Sequence, residues 1–216
     1  MCSFKVAIIE EAKSSVVLSG SHKAPEIREA VCEAYSEASK DPRAKHPFPV
    51  GREFAQSLGY PSDLLAELPA VSVEAFSGVS NVSVHAEIPE GACVLDLGCG
   101  AGVDSLIAAR RSGQRGKVVG MDFSASMLER AHRAASEAGL STVIFCRGDA
   151  EHLPIKSDSV DVALVNGIFN LNPARAEIFA ELGRVVRPGG VVYAAELILT
   201  APLPAEVQAS EQNWFA

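Results

Sequence analysis

The chain has 216 residues, 48% of them hydrophobic, enough to bury one full core with a smaller N-terminal piece. Its formal net charge of −8 argues against DNA or RNA as the main partner, because phosphate binding needs a basic face. No apolar run approaches a membrane span, residues 1–21 lack a signal-peptide layout, and the five cysteines form no CxxC pair. The expectation is a cytoplasmic protein with reduced thiols, no membrane partner and no metal site.

Phe4 to Ile9 and Ser15 to Leu18 are short β-prone pieces, read as a hairpin or an arm on the main domain. Pro25 begins a helical pattern that puts Ile27, Val31 and Tyr35 on one face and stops before Asp41-Pro42. Lys40 to Val50 is a proline-rich loop, and its His46 reads as a surface imidazole. Glu53 to Leu58 suggests a short helix, and Ser62 an N-cap for Asp63 to Leu68, ended by Pro69. Glu74 to Asn81 is a loop of small residues that either lies across a ligand site or is an ordinary connection; composition leaves the two even. His85 reads as a surface residue.

From Ala92 onward the pattern alternates. Strands are expected at Cys93–Leu97, Lys117–Met121, Thr142–Cys146, Val160–Val165 and Val191–Leu197, and helices at Val103–Arg111, Ala125–Ala138 and Ala174–Val186. Such alternation implies βαβ units, hence an α/β fold with a doubly wound, mostly parallel sheet. Ser124 is the expected N-cap of the second helix and Gly139 its stop.

The stretch ACVLDLGCGAG (92–102) is the centre of the pattern. An apolar strand runs into Asp96, and Gly98, Gly100 and Gly102 follow at every second position before a helix. Glycines there let the backbone turn sharply and approach a ligand. The G-x-G-x-G spacing differs from the dinucleotide fingerprint, and Asp96 would repel a pyrophosphate while favouring an ammonium or sulfonium. Ligands of open α/β sheets bind at the carboxyl ends of strands, where Asp96, Asp122, Asp149 and Asn166 all fall. For a nucleoside with a cationic tail, Asp122 can accept from both ribose hydroxyls. Asp149 can accept from an adenine amine while the Ala150 N–H donates to a ring nitrogen. Phe123 and Met127 are candidates to cover the adenine.

VLDLGCGAG, VVGMDFSASMLERA, CRGDAEHLPI and ELGRVVRPGG are similar to the successive motifs of class I S-adenosylmethionine-dependent methyltransferases. The resemblance spans about Ile88 to Leu199 and implies a Rossmann-like fold with S-adenosyl-L-methionine as cofactor and S-adenosyl-L-homocysteine as product. It implies Asp96, Gly98 and Gly100, in a loop with Cys99 and Gly102, for the methionine end. It further implies Asp122 for ribose, Asp149 with Ala150 for adenine, and Asn166 for the carboxypropyl region. The expected organisation is residues 1–87 shaping the substrate site and residues 88–216 binding the cofactor. No catalytic base is named, since an activated sulfonium mainly needs donor and acceptor aligned and water excluded.

LGYPSDLLAELP, the loop around FSGVSNV, and VNGIFNLNPARAEIFAELGRVVRPGG resemble the arsenite methyltransferase branch more closely. Its members bind trivalent arsenic through cysteine thiolates. Here Val79, and Gly167 or Ile168, stand where that branch has cysteine, so the layout carries over and the arsenic substrate does not. The expected reaction is methyl transfer to a small-molecule nucleophile. The alternatives are a non-catalytic cofactor-binding pseudoenzyme or partner subunit, and an NAD-dependent dehydrogenase, disfavoured by the glycine spacing and Asp96. Residues 202–216 suffice for a helix at Ala205–Trp214 but not for the further strands of the fold, so the edge beyond the fifth expected strand calls for another subunit, a homo-oligomer, or additional chain.

Overall fold

The computed structural model describes residues 3–8 and 24–198. The elements in chain order are β1 (Ser3–Ile8), α1 (Ala24–Lys40), α2 (Arg52–Ser57), α3 (Ser62–Glu67), α4 (Ala70–Val73), α5 (Val82–His85), β2 (Cys93–Leu97) and α6 (Val103–Ser112). They continue as β3 (Lys117–Asp122), α7 (Ala125–Glu137), β4 (Val143–Arg147), β5 (Val160–Asn166), α8 (Arg175–Val185) and β6 (Val186–Glu196). The six strands form one sheet in the order β1-β6-β5-β2-β3-β4, and every neighbouring pair is parallel.

The strand side chains explain the layering. Successive residues of a strand point to opposite faces, and a parallel sheet is covered on both. Val94, Val118, Val162 and Leu164 therefore pack on one side with Leu106, Ile107 and Ala131 of α6 and α7. Leu95, Leu97, Ala163, Val165 and Val192 pack on the other with Ile178 and Leu182 of α8. The first of these cores also takes in Ala55, Tyr60, Leu65, Val73, Phe76 and Val82, so the short helices α2–α5 are built onto the sheet domain. Ser124 caps α7 as expected, its side chain accepting from Met127 N. No described helix is long and apolar enough to cross a membrane.

The sheet departs from expectation at its edge. The side of β6 expected to lack a partner in this chain is occupied by β1, with Ser3 opposite Val191 and Ile8 opposite Glu196. A second subunit is not needed to cover that edge of β6. The N-terminal β-prone piece is thus a sheet strand, while residues 15–18 and 205–214 lie outside the described residues. β6 also begins earlier than expected, at Val186, with a register irregularity between Val160 and Val162 that absorbs the Arg187–Gly190 segment.

Candidate active site

The strand order reverses between β2 and β5, which places a crevice outside their carboxyl ends. The glycine loop of residues 98–102 forms its floor. Gly98 takes φ +76, and a Cβ on it would collide with Ile168 Cγ2. Gly102, at φ +89, is the N-cap of α6 and would press a Cβ on Phe145 and Ala131. Both positions therefore require glycine. Four of the loop's five amides are already committed. Gly98 N and Cys99 N donate to Met121 O at 2.8 and 3.0 Å, Gly100 N to Asp122 Oδ2 at 2.8 Å, and Gly102 N to Cys99 O at 2.9 Å. A loop with all but one of its N–H groups spent in this way offers a poor cradle to a pyrophosphate.

Two adjoining cavities fill the crevice. The larger, about 570 Å³, is lined by Gly98, Asp122, Phe123, Asp149 and Ala150 together with Ile168 and Leu171. The smaller, about 60 Å³, is lined by Asp96, Gly98, Cys99, Gly100, Asp122 and Asn166, with Phe76, Ser77 and Gly78 across from them. The structure thus brings together nine of the eleven residues singled out in the sequence. The other two serve packing: Met127 is fully buried with Ala38, Ala75 and Ala101, and Gly102 supports the helix start.

Electrostatically the smaller cavity is dominated by acids. Asp96, Asp104 and Asp122 are all buried. Burial, and then the neighbouring Asp104, push the Asp96 carboxyl up to about 8, against hydrogen bonding from the side chain and backbone of Ser105, whose Oγ donates at 2.5 Å. Burial also raises Asp122, opposed by the donors Ser124 N and Gly100 N. Charges crowded in a low-dielectric site repel unless a cation joins them. A ligand with an ammonium or sulfonium meets that condition, and a pyrophosphate does not.

Asn166 is engaged differently from expectation. Its Oδ1 accepts from Val79 N and Ser80 N at 2.9 and 3.0 Å, and its Nδ2 donates to Ser80 O at 2.7 Å and Asp104 Oδ2 at 2.8 Å. Asp104 in turn accepts from Tyr60 OH at 2.5 Å and from Ser83 Oγ. This network fastens Val79 and Ser80 to the end of β5, and Phe76, Ser77 and Gly78 of the same loop line the smaller cavity. Val79 meets Gly167 there: a Cβ on Gly167 would lie 2.9 Å from Val79 Cγ1. The two segments expected to carry thiols are neighbours, and neither carries one.

The described cysteines do not restore the paired thiols of that branch, since none stands in either of those two segments. Cys99 lines the smaller cavity, but burial, then Asp122 and Asp96, raise its thiol well above the usual range, and its Sγ donates to Gly100 O at 3.7 Å. Cys32 lines the larger cavity, whereas Cys93 and Cys146 are half-buried in strands rather than fully enclosed. His85 is exposed, as expected, and half-buried His46 bonds Asp41 O and stacks on Phe48.

Several site residues escaped the sequence reading. α1 lies over the crevice, so Arg28 and Tyr35 line it, beside Cys32, the one thiol outside the strands and the glycine loop that the sequence offered. The Ile27-Val31-Tyr35 periodicity marked a packed face but not what it packs on. Arg28 pairs with Asp149 at 2.8 Å and with Glu151 at 2.6 Å. At the end of β6, Glu196 accepts from Phe169 N at 2.6 Å and Asn170 N at 3.2 Å, holding the loop that carries Ile168 and Leu171.

A family model described as a methyltransferase domain matches residues 88–215. The chain is 36% identical over 154 residues to the arsenite methyltransferase of Halobacterium salinarum, which covers 71% of this chain and 39% of that protein. It is 34% identical over 110 residues to the demethylmenaquinone methyltransferase of Bacillus velezensis, covering 50% of this chain and 47% of the other. The chain therefore spans less than half the length of these curated relatives. Among solved structures, an arsenic(III) S-adenosylmethionine methyltransferase from Chlamydomonas reinhardtii matches with a TM-score of 0.58 and 28% identity, over 76% of this chain and 56% of that one.

Proposed function

The chain belongs to the class I S-adenosylmethionine-dependent methyltransferases, related to their arsenite methyltransferase branch, and on that premise we propose that its crevice seats S-adenosylmethionine for methyl transfer to a small-molecule nucleophile other than trivalent arsenic. The observation that carries the reading is the acid-lined crevice in which four of the five glycine-loop amides are already spent on protein acceptors. It fits a cationic adenosyl ligand and disfavours a dinucleotide. Asp149 and Ala150 at the wide end face the adenine, Asp122 takes the ribose hydroxyls, and Asp96 faces the ammonium. Phe123, at the rim of both cavities, shields the nucleoside from water.

When bound, the cofactor supplies an electrophilic methyl carbon on a sulfonium. The protein's part is to align the acceptor with that carbon and to exclude water. Phe76, Ile168 and Leu171 give the acceptor side an apolar wall, and the 74–81 loop held by Asn166 is where residues 1–87 shape it. Trivalent arsenic is excluded from the reading because a soft metalloid needs thiolates. Val79 and Gly167 supply none, and Cys99 is held as a thiol.

Calorimetric titration with S-adenosylhomocysteine and separately with NADH tests the cofactor. The reading expects the first to bind and the second not to; the reverse overturns it. Label from methyl-labelled S-adenosylmethionine should then reach an organic acceptor, demethylmenaquinone being one to try, and not arsenite. Methylated arsenic as the main product would overturn the substrate class.

A further inference from the structure

The amino-acid tail of S-adenosylmethionine carries a carboxylate as well as an ammonium, and the carboxylate poses a problem at this site. No Lys, Arg or His is among the described residues lining the smaller cavity. The amides of residues 98, 99, 100 and 102 are committed, as are those of Val79 and Ser80 and the side-chain amide of Asn166. Of the glycine-loop amides only that of Ala101 has no acceptor among the described residues, and a buried carboxylate with so few donors is costly. Tyr35 and Ser77 line the same cavity, and neither hydroxyl makes a hydrogen bond to another described residue.

Tyr35 is well placed for the task. It lies seven residues, or two turns, beyond Arg28 on α1, a separation of about 10 Å at roughly 1.5 Å per residue. Arg28 marks the adenine end through Asp149, so Tyr35 reaches the tail end. Its ring is backed by Phe48, stacked with centroids 4.5 Å apart, which fixes the phenol. Burial, with Asp122 and Glu196 nearby, raises the phenol's pKa, so it remains a neutral donor. A neutral donor suits an anion in an acid-lined cavity, since it adds no charge that would attract the acids in the ligand's stead.

We propose that the Tyr35 hydroxyl, with Ser77 as second donor, binds the carboxylate of the cofactor's amino-acid tail. This rests on reading the crevice as the S-adenosylmethionine site, and it adds α1 to the cofactor machinery.

The test compares two ligands by calorimetry on the 216-residue chain. S-adenosylhomocysteine has the tail, and 5′-methylthioadenosine lacks it. Tyr35→Phe should weaken the first by about tenfold, the value of a hydrogen bond to a charged group, and leave the second within about twofold. Ser77→Ala should show a smaller loss with the same selectivity. Retained binding of 5′-methylthioadenosine reports an intact fold, because Tyr35→Phe keeps the ring on Phe48. Unchanged S-adenosylhomocysteine affinity in Tyr35→Phe, a loss confined to Ser77→Ala, or equal losses on both ligands would each overturn the assignment while the crevice reading stands. Binding of neither ligand by the unaltered chain would overturn the crevice reading itself, and this inference with it.

Discussion

Arg28 Nη2 lies 2.8 Å from both carboxylate oxygens of Asp149, joining α1 to the loop after β4 across 121 residues of chain. The same guanidinium reaches Glu151 Oε1 at 2.6 Å. If an adenine amine is to use Asp149, it must share that carboxylate with Arg28. Both partners of the pair are about two-fifths exposed, at 41% and 43%. A pair screened to that degree contributes about 0–1 kcal/mol. Arg28→Ala should therefore leave stability nearly unchanged and raise S-adenosylhomocysteine affinity, by no more than about fivefold. Calorimetry in low and moderate salt checks this, with salt expected to raise the affinity of the unaltered chain alone.

Asp122 tests the ribose assignment. Its carboxylate also accepts from Gly100 N and Ser124 N, both at 2.8 Å, so removal disturbs the loop as well as the ligand. Asp122→Ala is expected to lower cofactor affinity on the order of a hundredfold and stability by about 2 kcal/mol. Asp122→Asn, which keeps an acceptor oxygen for the loop, should lose about tenfold in affinity with a smaller stability change. Unchanged calorimetric binding in both variants would refute the assignment.

The pH dependence follows from Asp96. Burial, and next Asp104, raise its carboxyl from the ordinary 3.8 to about 8. Because the folded value exceeds the unfolded one, its contribution to stability is present at low pH and is lost as pH rises from 3.8 through about 8. Ligand attraction runs the opposite way, since only the ionised form draws an ammonium. The melting temperature of the unliganded chain should fall on approaching pH 8 from below, while cofactor affinity climbs over the same interval. Asp96→Asn should flatten both trends, binding the cofactor more weakly and melting higher than the unaltered chain at alkaline pH. Thermal melts and titrations across that interval measure both.

The contact between Gly167 and Val79 predicts a separable stability cost. Gly167 sits at φ +80, and a Cβ would come 2.9 Å from Val79 Cγ1. Gly167→Ala should cost about 1–3 kcal/mol in denaturant unfolding. Adding Val79→Ala should recover the steric part and leave the backbone part, giving a favourable coupling in the double-mutant cycle. Additive losses would show that the two residues do not press on each other.

Local pattern carried much of this molecule. The strands from β2 to β6, the helices between them, the cap at Ser124, and the acids at three strand ends were legible because each is written within a few consecutive residues. Apolar runs specify buried strands, and a carboxylate just beyond such a run lies at the strand's mouth wherever the sheet is placed. What depends on distant segments meeting was not legible. Tyr35 read with Ile27 and Val31 as one side of an amphipathic helix and Arg28 did not stand out at all, and only packing set both over the crevice. Asn166 looked like a cofactor contact because of its place on β5, yet the 79–80 amides and Asp104 claimed both ends of its side chain. β1 read as part of a hairpin or an arm on the main domain until β6 offered it an edge. Hydrogen-bond partners are chosen among groups brought within reach, and the fold, rather than any stretch of sequence, determines which groups those are.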